Sequence, residues 1–101
     1  MQPVYYVAFF AIDPKYGTIE EIRAEAPEAI AAHLARSNEW HRRGILVMAG
    51  AFTSNSGGPI ETMGVLTSRE AAEEYAKGDP FVLKGMVSKW YIREWANILK
   101  D

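Results

Sequence analysis

His33-Leu34-Ala35-Arg36-Ser37 and Gly78-Asp79-Pro80-Phe81 hold the residues best suited to chemistry in this 101-residue chain. A carboxylate beside an imidazole fixes the ring's tautomer and stabilises the imidazolium, which suits histidine to general acid–base work near neutral pH. His33 and Asp79 are therefore the candidate catalytic pair. Arg36 and Ser37, about one helical turn after His33, are candidates for holding an anionic or carbonyl group, with Ser54 and Phe81 as further substrate contacts. Asp79 between Gly78 and Pro80 fits the cap of a short helix equally well, so residue type alone leaves both roles open.

Other chemistries fit poorly. The chain has no cysteine, which excludes disulfides, thiolate metal sites and cysteine nucleophiles. A zinc site would have to pair His33 with His41, but eight helical residues hold them ~12 Å apart, too far to share one ion. No metal or cofactor is expected, and His41 reads as a core-edge histidine with a hydrogen-bond partner. Ser54 and Ser56 lie in a turn-rich stretch without a nucleophile elbow, and Gly57-Gly58 lacks the strand-to-helix setting of a phosphate loop. Trp90, Tyr91 and Trp95 can line a pocket for a flat ligand, although aromatics in such a strand more often serve packing.

Positioning these side chains requires a folded core, and the composition supplies one. The chain is 49% hydrophobic and 24% charged with a net charge of -2, typical of a soluble globular protein of one domain over 1–101. That balance gives no bulk attraction to phosphate backbones or anionic lipid, so neither nucleic acid nor membrane is an expected partner. No secretory leader and no apolar run of ~20 residues is visible, and a cytoplasmic location is expected.

Residues 4–12 alternate apolar with apolar, which predicts a strand buried on both faces. Thr18 to Glu21 has capping-box spacing for a short helical turn. Pro27 opens a helix that runs to Arg43 and stops at Gly44. Its expected inward stripe is Ile30, Leu34, Ser37 and His41, with His33 and Trp40 on one shoulder and an exposed Glu39–Arg43 pair. Residues 45–52 form a second two-faced strand, residues 53–59 a hairpin with a mobile tip, and residues 60–66 a third strand. Thr67-Ser68-Arg69-Glu70 reads as a second capping box, opening a helix that ends at Gly78 in a left-handed cap. One more helical turn over 80–85 and a strand over 87–95 complete the pattern, leaving a tail from Ala96.

The order β-α-β-β-α-β predicts an α+β, ferredoxin-like fold: a four-stranded antiparallel sheet with two helices on one face. That topology brings His33, Asp79 and the hairpin tip to one end of the domain. Two helices cover only one face, so the other apolar face calls for a second copy packed sheet to sheet, enclosing a small apolar space. A homodimer, or a higher oligomer built from it, is the expectation.

Several motifs then carry a resemblance. His33-Leu34-Ala35-Arg36, His41-Arg42-Arg43-Gly44, Met48-Ala49-Gly50-Ala51, Gly78-Asp79-Pro80-Phe81, Gly85 and the strand from Tyr91 to Trp95 resemble the YCII-related (YciI-like) family over roughly residues 30–96. The resemblance implies a dimeric α/β barrel with a helix histidine and the aspartate of an Asp-Pro motif in its site, here His33 and Asp79. It also implies kinship with chloromuconolactone dehalogenase-like enzymes, and with muconolactone isomerases through the broader fold. The expected function is cofactor-independent proton transfer on a lactone-like or carbonyl small molecule, as an isomerase or lyase. The alternative is a non-catalytic small-molecule-binding or regulatory dimer. Haem or oxygen chemistry occurs on such barrels, but nothing in this composition favours it.

Overall fold

The computed structural model describes residues 4–54 and 58–99; the expected hairpin tip at 55–57, the first three residues and the last two lie outside them. The double-sided apolar pattern of the first segment becomes β1 (Val4–Ile12), followed by a 3-10 turn (Pro14–Tyr16), α1 (Ile19–Glu25) and α2 (Pro27–Arg42). Then come β2 (Leu46–Ala51), β3 (Glu61–Leu66), α3 (Arg69–Gly78), α4 (Pro80–Leu83) and β4 (Val87–Ala96). The four strands form one antiparallel sheet in the order β2-β3-β1-β4. This is the expected ferredoxin-like α+β arrangement, with β1 central because it is apolar on both sides.

One set of alternating side chains faces the helices. Ala8, Phe10, Leu46 and Leu66 pack under Ala72, Tyr75 and Ala76 of α3. A second cluster of Ile12, Ile22, Ala26, Ala29 and Met86 fastens α1 and the start of α2 to the end of β1. On the opposite face Tyr5, Val7 and Phe9 pair across the sheet with Trp95, Arg93 and Tyr91, and Phe9 stacks on Tyr91 at a centroid distance of 5.1 Å.

Local chemistry explains most element ends. Thr18 and Glu21 form the expected capping box of α1, each side chain bonding the other's backbone N–H. At Gly44, φ is 76°, and the Gly44 N–H to His41 carbonyl and Ile45 N–H to Trp40 carbonyl bonds close α2 in a Schellman motif. Gly85, with φ 73°, closes α4 by the same pattern through the N–H groups of Gly85 and Met86.

Four expectations are corrected. The cap of α3 is Ser68, whose Oγ accepts from Ala71 N; the residue at the reciprocal position is then Ala71, which has no side chain to reach back, so no box forms. Gly78 does not adopt a left-handed cap, since the positive-φ glycines among the described residues are 17, 44 and 85. Glu39 pairs with Arg42 at 2.5 Å rather than with Arg43, because Arg43 lies beyond the last helical turn. The stripe Ile30, Leu34, Ser37, His41 is not packed on the sheet: Leu34 is 54% exposed. α2 instead meets α3 and α4 through Ala29, His33, Arg36 and Trp40, and the expected stripe lines an open cleft.

Candidate functional site

A cleft of about 500 Å³ opens on the helix side of the sheet. Its floor is the sheet, including Phe10, Ile12, Leu46, Ala49, Ala51 and Thr62. Ile30, Leu34, Ser37 and His41 of α2 form one wall, Ile19, Ile22 and Arg23 of α1 another, and Tyr75, Asp79 and Phe81 close the inner end with His33. His33, Ser37, Asp79 and Phe81 meet in this cleft within one chain.

His33 is carried into the cleft by the middle of α2. Its Nδ1 lies 2.6 Å from Asp79 Oδ1, with 25% of the His33 side chain and 3% of the Asp79 side chain exposed. Asp79 sits between α3 and α4 in extended conformation, where its other oxygen, Oδ2, accepts the N–H groups of Phe81 and Val82 at 3.0 and 3.4 Å. A carboxylate in that role only accepts, so the proton between Asp79 and His33 resides on Nδ1. Nε2 is then the free lone pair, on a ring that lines the cleft and rests against Phe81 at a centroid distance of 5.0 Å. Lys84 Nζ and Glu28 Oε1, 2.8 Å apart, tie α4 to α2 beside this pair, and the lysine's bond holds the Glu28 carboxyl below the usual carboxylate range.

The other candidates separate clearly. Ser37 lines the cleft, and its Oγ lies 2.7 Å from Tyr75 Oη. Phe81 lines it as well. Arg36 does not: its guanidinium donates to the carbonyls of Tyr75 and Glu74 at 2.9 Å each and stacks over the rings of Trp40 and Tyr75. Those carbonyls belong to the last turns of α3, so Arg36 serves as a helix C-terminal cation in place of a ligand anchor. Ser54 is exposed, beyond the end of β2 and away from the cleft lining. Of the three aromatics of β4, Trp90 packs on the core, Tyr91 and Trp95 point to the opposite face, and none lines the cleft.

Three cleft residues were not expected as site residues. Tyr75 is 2% exposed, and burial, its largest influence, together with the Asp79 charge pushes its phenol above the ordinary tyrosine value, against the lowering effects of Ser37 and Arg36. The available signal was its position in the last turns of α3, four residues before Asp79. Arg23 lines the cleft with no ion-pair partner among the described residues. His41 rims it, with Nδ1 donating to the Leu46 carbonyl at 2.8 Å; that is the expected partner, in a more exposed setting than a core edge. Among the described residues no group of three or more His, Cys, Asp or Glu is placed to hold a metal ion, and no helix is long and apolar enough to cross a membrane.

A family model described as the YCII-related domain matches residues 6–96, a longer span than the motifs alone carried. No curated protein matches the chain. Among solved structures it is similar to 5-chloro-2-hydroxyhydroquinone dehydrochlorinase (TftG) from Burkholderia phenoliruptrix AC1100 in complex with 2,5-dihydroxybenzoquinone, at 16% identity, covering 90% of this chain and 92% of that one, with a TM-score of 0.64. Rv0793 from Mycobacterium tuberculosis is similar at 14% identity, covering 97% of each chain, with a TM-score of 0.54. SnoaB, a cofactor-independent oxygenase from Streptomyces nogalater, is similar at 13% identity, covering 99% of this chain and 97% of that one, with a TM-score of 0.50. These likenesses establish the fold of the dimeric α/β barrel proteins.

Proposed function

The chain belongs to the YCII-related domain family, and on that premise we propose that it is a small enzyme that moves a proton next to a carbonyl, with His33 as general base and acid and Asp79 orienting it. The observation that carries this reading is the 2.6 Å contact between His33 Nδ1 and Asp79 Oδ1, which leaves Nε2 without a hydrogen-bond partner among the described residues, on a ring lining the cleft. Such an arrangement takes a proton from carbon or oxygen and holds the resulting imidazolium against a buried carboxylate. The chemistry needs no metal or prosthetic group.

The cleft also favours a substrate class. Its walls are mainly apolar, its carboxylate is occupied by His33 and two amides, and Arg23, which has no ion-pair partner among the described residues, adds a cation at the wall. A compact cyclic carbonyl compound bearing an acidic group fits that distribution, and lactones and hydroxyquinones are the chemical classes to screen. The likeness to a dehydrochlorinase and a cofactor-independent oxygenase supports the choice of small-molecule chemistry. The functional unit is proposed to be a homodimer joined through the sheet face that carries Phe9, Tyr91 and Trp95.

The test is a turnover screen over lactones and halogenated hydroxyquinones, followed by His33→Gln on the best substrate. Loss of about a hundredfold or more in kcat with the fold retained is expected, in the range of a lost general base. Unchanged turnover overturns the reading. Ligand binding without turnover, altered by His33→Gln, would instead identify a binding or regulatory protein using the same cleft.

A further inference from the structure

Ser37 and Tyr75 come from different helices, and their hydroxyl oxygens lie 2.7 Å apart at the inner end of the cleft. One hydrogen bond between two hydroxyls uses one of their two protons, so whichever group donates, one O–H is left over. Tyr75 is 2% exposed, whereas Ser37 is half-buried, so with Tyr75 as the donor of the shared bond the remaining O–H is that of Ser37, the hydroxyl more open to the cleft. We propose that this pair is the oxygen-binding half of the site, donating a hydrogen bond to the carbonyl oxygen of a substrate whose acidic carbon lies against His33. The proposal rests on the general-base reading of His33 and adds the group that receives the negative charge.

The spacing suits that task. Ser37 follows His33 by one helical turn on the same side of α2, about 6 Å along the axis. A carbon acid and its carbonyl oxygen, with a hydrogen bond at each end, span such an interval. His33 Nε2 takes the proton from carbon; the C–H bonding pair becomes the C=C bond, and the carbonyl π pair moves onto oxygen. The enolate oxygen formed accepts from Ser37 Oγ, and Asp79 balances the new imidazolium. The same proton returns to another carbon in an isomerisation; in an elimination the oxygen pair re-forms the carbonyl, the enolate's C=C pair becomes the new double bond to the adjacent carbon, the leaving group departs with the pair of its own bond to carbon, and His33 passes its proton to the leaving group or to solvent.

The donor is rigidly held, which is what makes such a group effective as charge develops. The Tyr75 ring is bracketed by Phe10 at 6.1 Å and Trp40 at 5.4 Å between centroids, with the Arg36 guanidinium 5.2 Å from its centroid. Gly64 lies beneath it, where a Cβ would come within 3.2 Å of Tyr75 Cε2. Burial raises the phenol above the ordinary tyrosine value, so it stays protonated through neutral pH and able to donate toward Ser37.

The test compares two probes of one shape: 4-nitrophenolate, a stable mimic of an enolate oxygen, and 4-nitroanisole, its uncharged relative. Their dissociation constants are measured on the full chain, on Tyr75→Phe, which keeps the ring, and on Ser37→Ala. Each variant is expected to weaken 4-nitrophenolate by about tenfold or more, the effect of losing a hydrogen bond to a charged group, while 4-nitroanisole binds unchanged. Equal weakening of both probes, weakening of neither, or no binding of the phenolate to the unaltered protein overturns the proposal. His33→Gln is read separately by turnover: if turnover survives while the hydroxyl variants lose the phenolate selectively, the base assignment fails and the oxygen site stands.

Discussion

Asp79 uses both carboxylate oxygens at once: Oδ1 meets His33 Nδ1 at 2.6 Å while Oδ2 caps the start of α4 through Phe81 and Val82. The capping and dyad roles, which looked like alternatives, are the two ends of one side chain. The cap fixes the carboxylate that fixes the imidazole.

Asp79→Asn separates these roles. Its amide oxygen can keep the cap, but its NH2 group then faces Nδ1, which must accept, and the imidazole proton moves to Nε2. The folded state is expected to survive with a loss of about 1–2 kcal/mol, while proton abstraction falls by at least about a hundredfold. Nitrogen NMR of His33 should report the tautomer switch, and an unchanged Nδ1–H form in the variant would rule out the network drawn here.

Gly78→Ala should destabilise the protein even though alanine is the better helix former. A Cβ at Gly78 would stand 2.7 Å from Arg36 Nη2, and that guanidinium is held by two carbonyls and two rings. The expected cost is about 1–2 kcal/mol in urea unfolding, within the range for overpacking. In an Arg36→Ala background the same change should become neutral or stabilising, and equal effects in both backgrounds would contradict the contact.

Tyr75 makes the fold sensitive to alkali. Burial holds its folded-state pKa above the ordinary tyrosine value, so over part of the alkaline range the native state retains a proton that the unfolded chain releases. The contribution is fully present below the unfolded value and is lost as pH rises from there through the folded value. Urea midpoints measured across that alkaline interval should fall more steeply for the unaltered protein than for Tyr75→Phe. Parallel slopes would mean the phenol is not buried in solution.

Tyr91 is 42% exposed and Trp95 52% exposed on the sheet face opposite the helices, with Phe9 stacked on Tyr91. The proposed homodimer, joined through the sheets, would cover this apolar area. Tyr91→Asp is expected to raise the dimer dissociation constant by at least about tenfold in sedimentation velocity, since it places a charge in an apolar contact. A dimer of unchanged strength would move the interface elsewhere.

By itself the sequence determined the order of the elements and where most of them end. β1 is readable because both alternating sets of 4–12 are apolar; α2 and α4 end at Gly44 and Gly85 because local backbone sterics demand a positive φ there. The chemical types of the dyad were equally visible in His33 and Asp79. Tertiary structure decided what each helix face meets. Periodicity assigns Ile30, Leu34, Ser37 and His41 to one stripe, but only the packing of α2 against α3, α4 and the sheet turns that stripe into a cleft wall. Arg36 looks like an anion anchor until α3 supplies the carbonyls that engage it, and Gly78 looks like a left-handed cap until Arg36 occupies the space its side chain would fill. Tyr75 acquires its place beside Ser37 from a helix far away in sequence. Each of these depends on the rotation and separation of packed helices, quantities set by contacts between distant segments and therefore absent from any local pattern of residues.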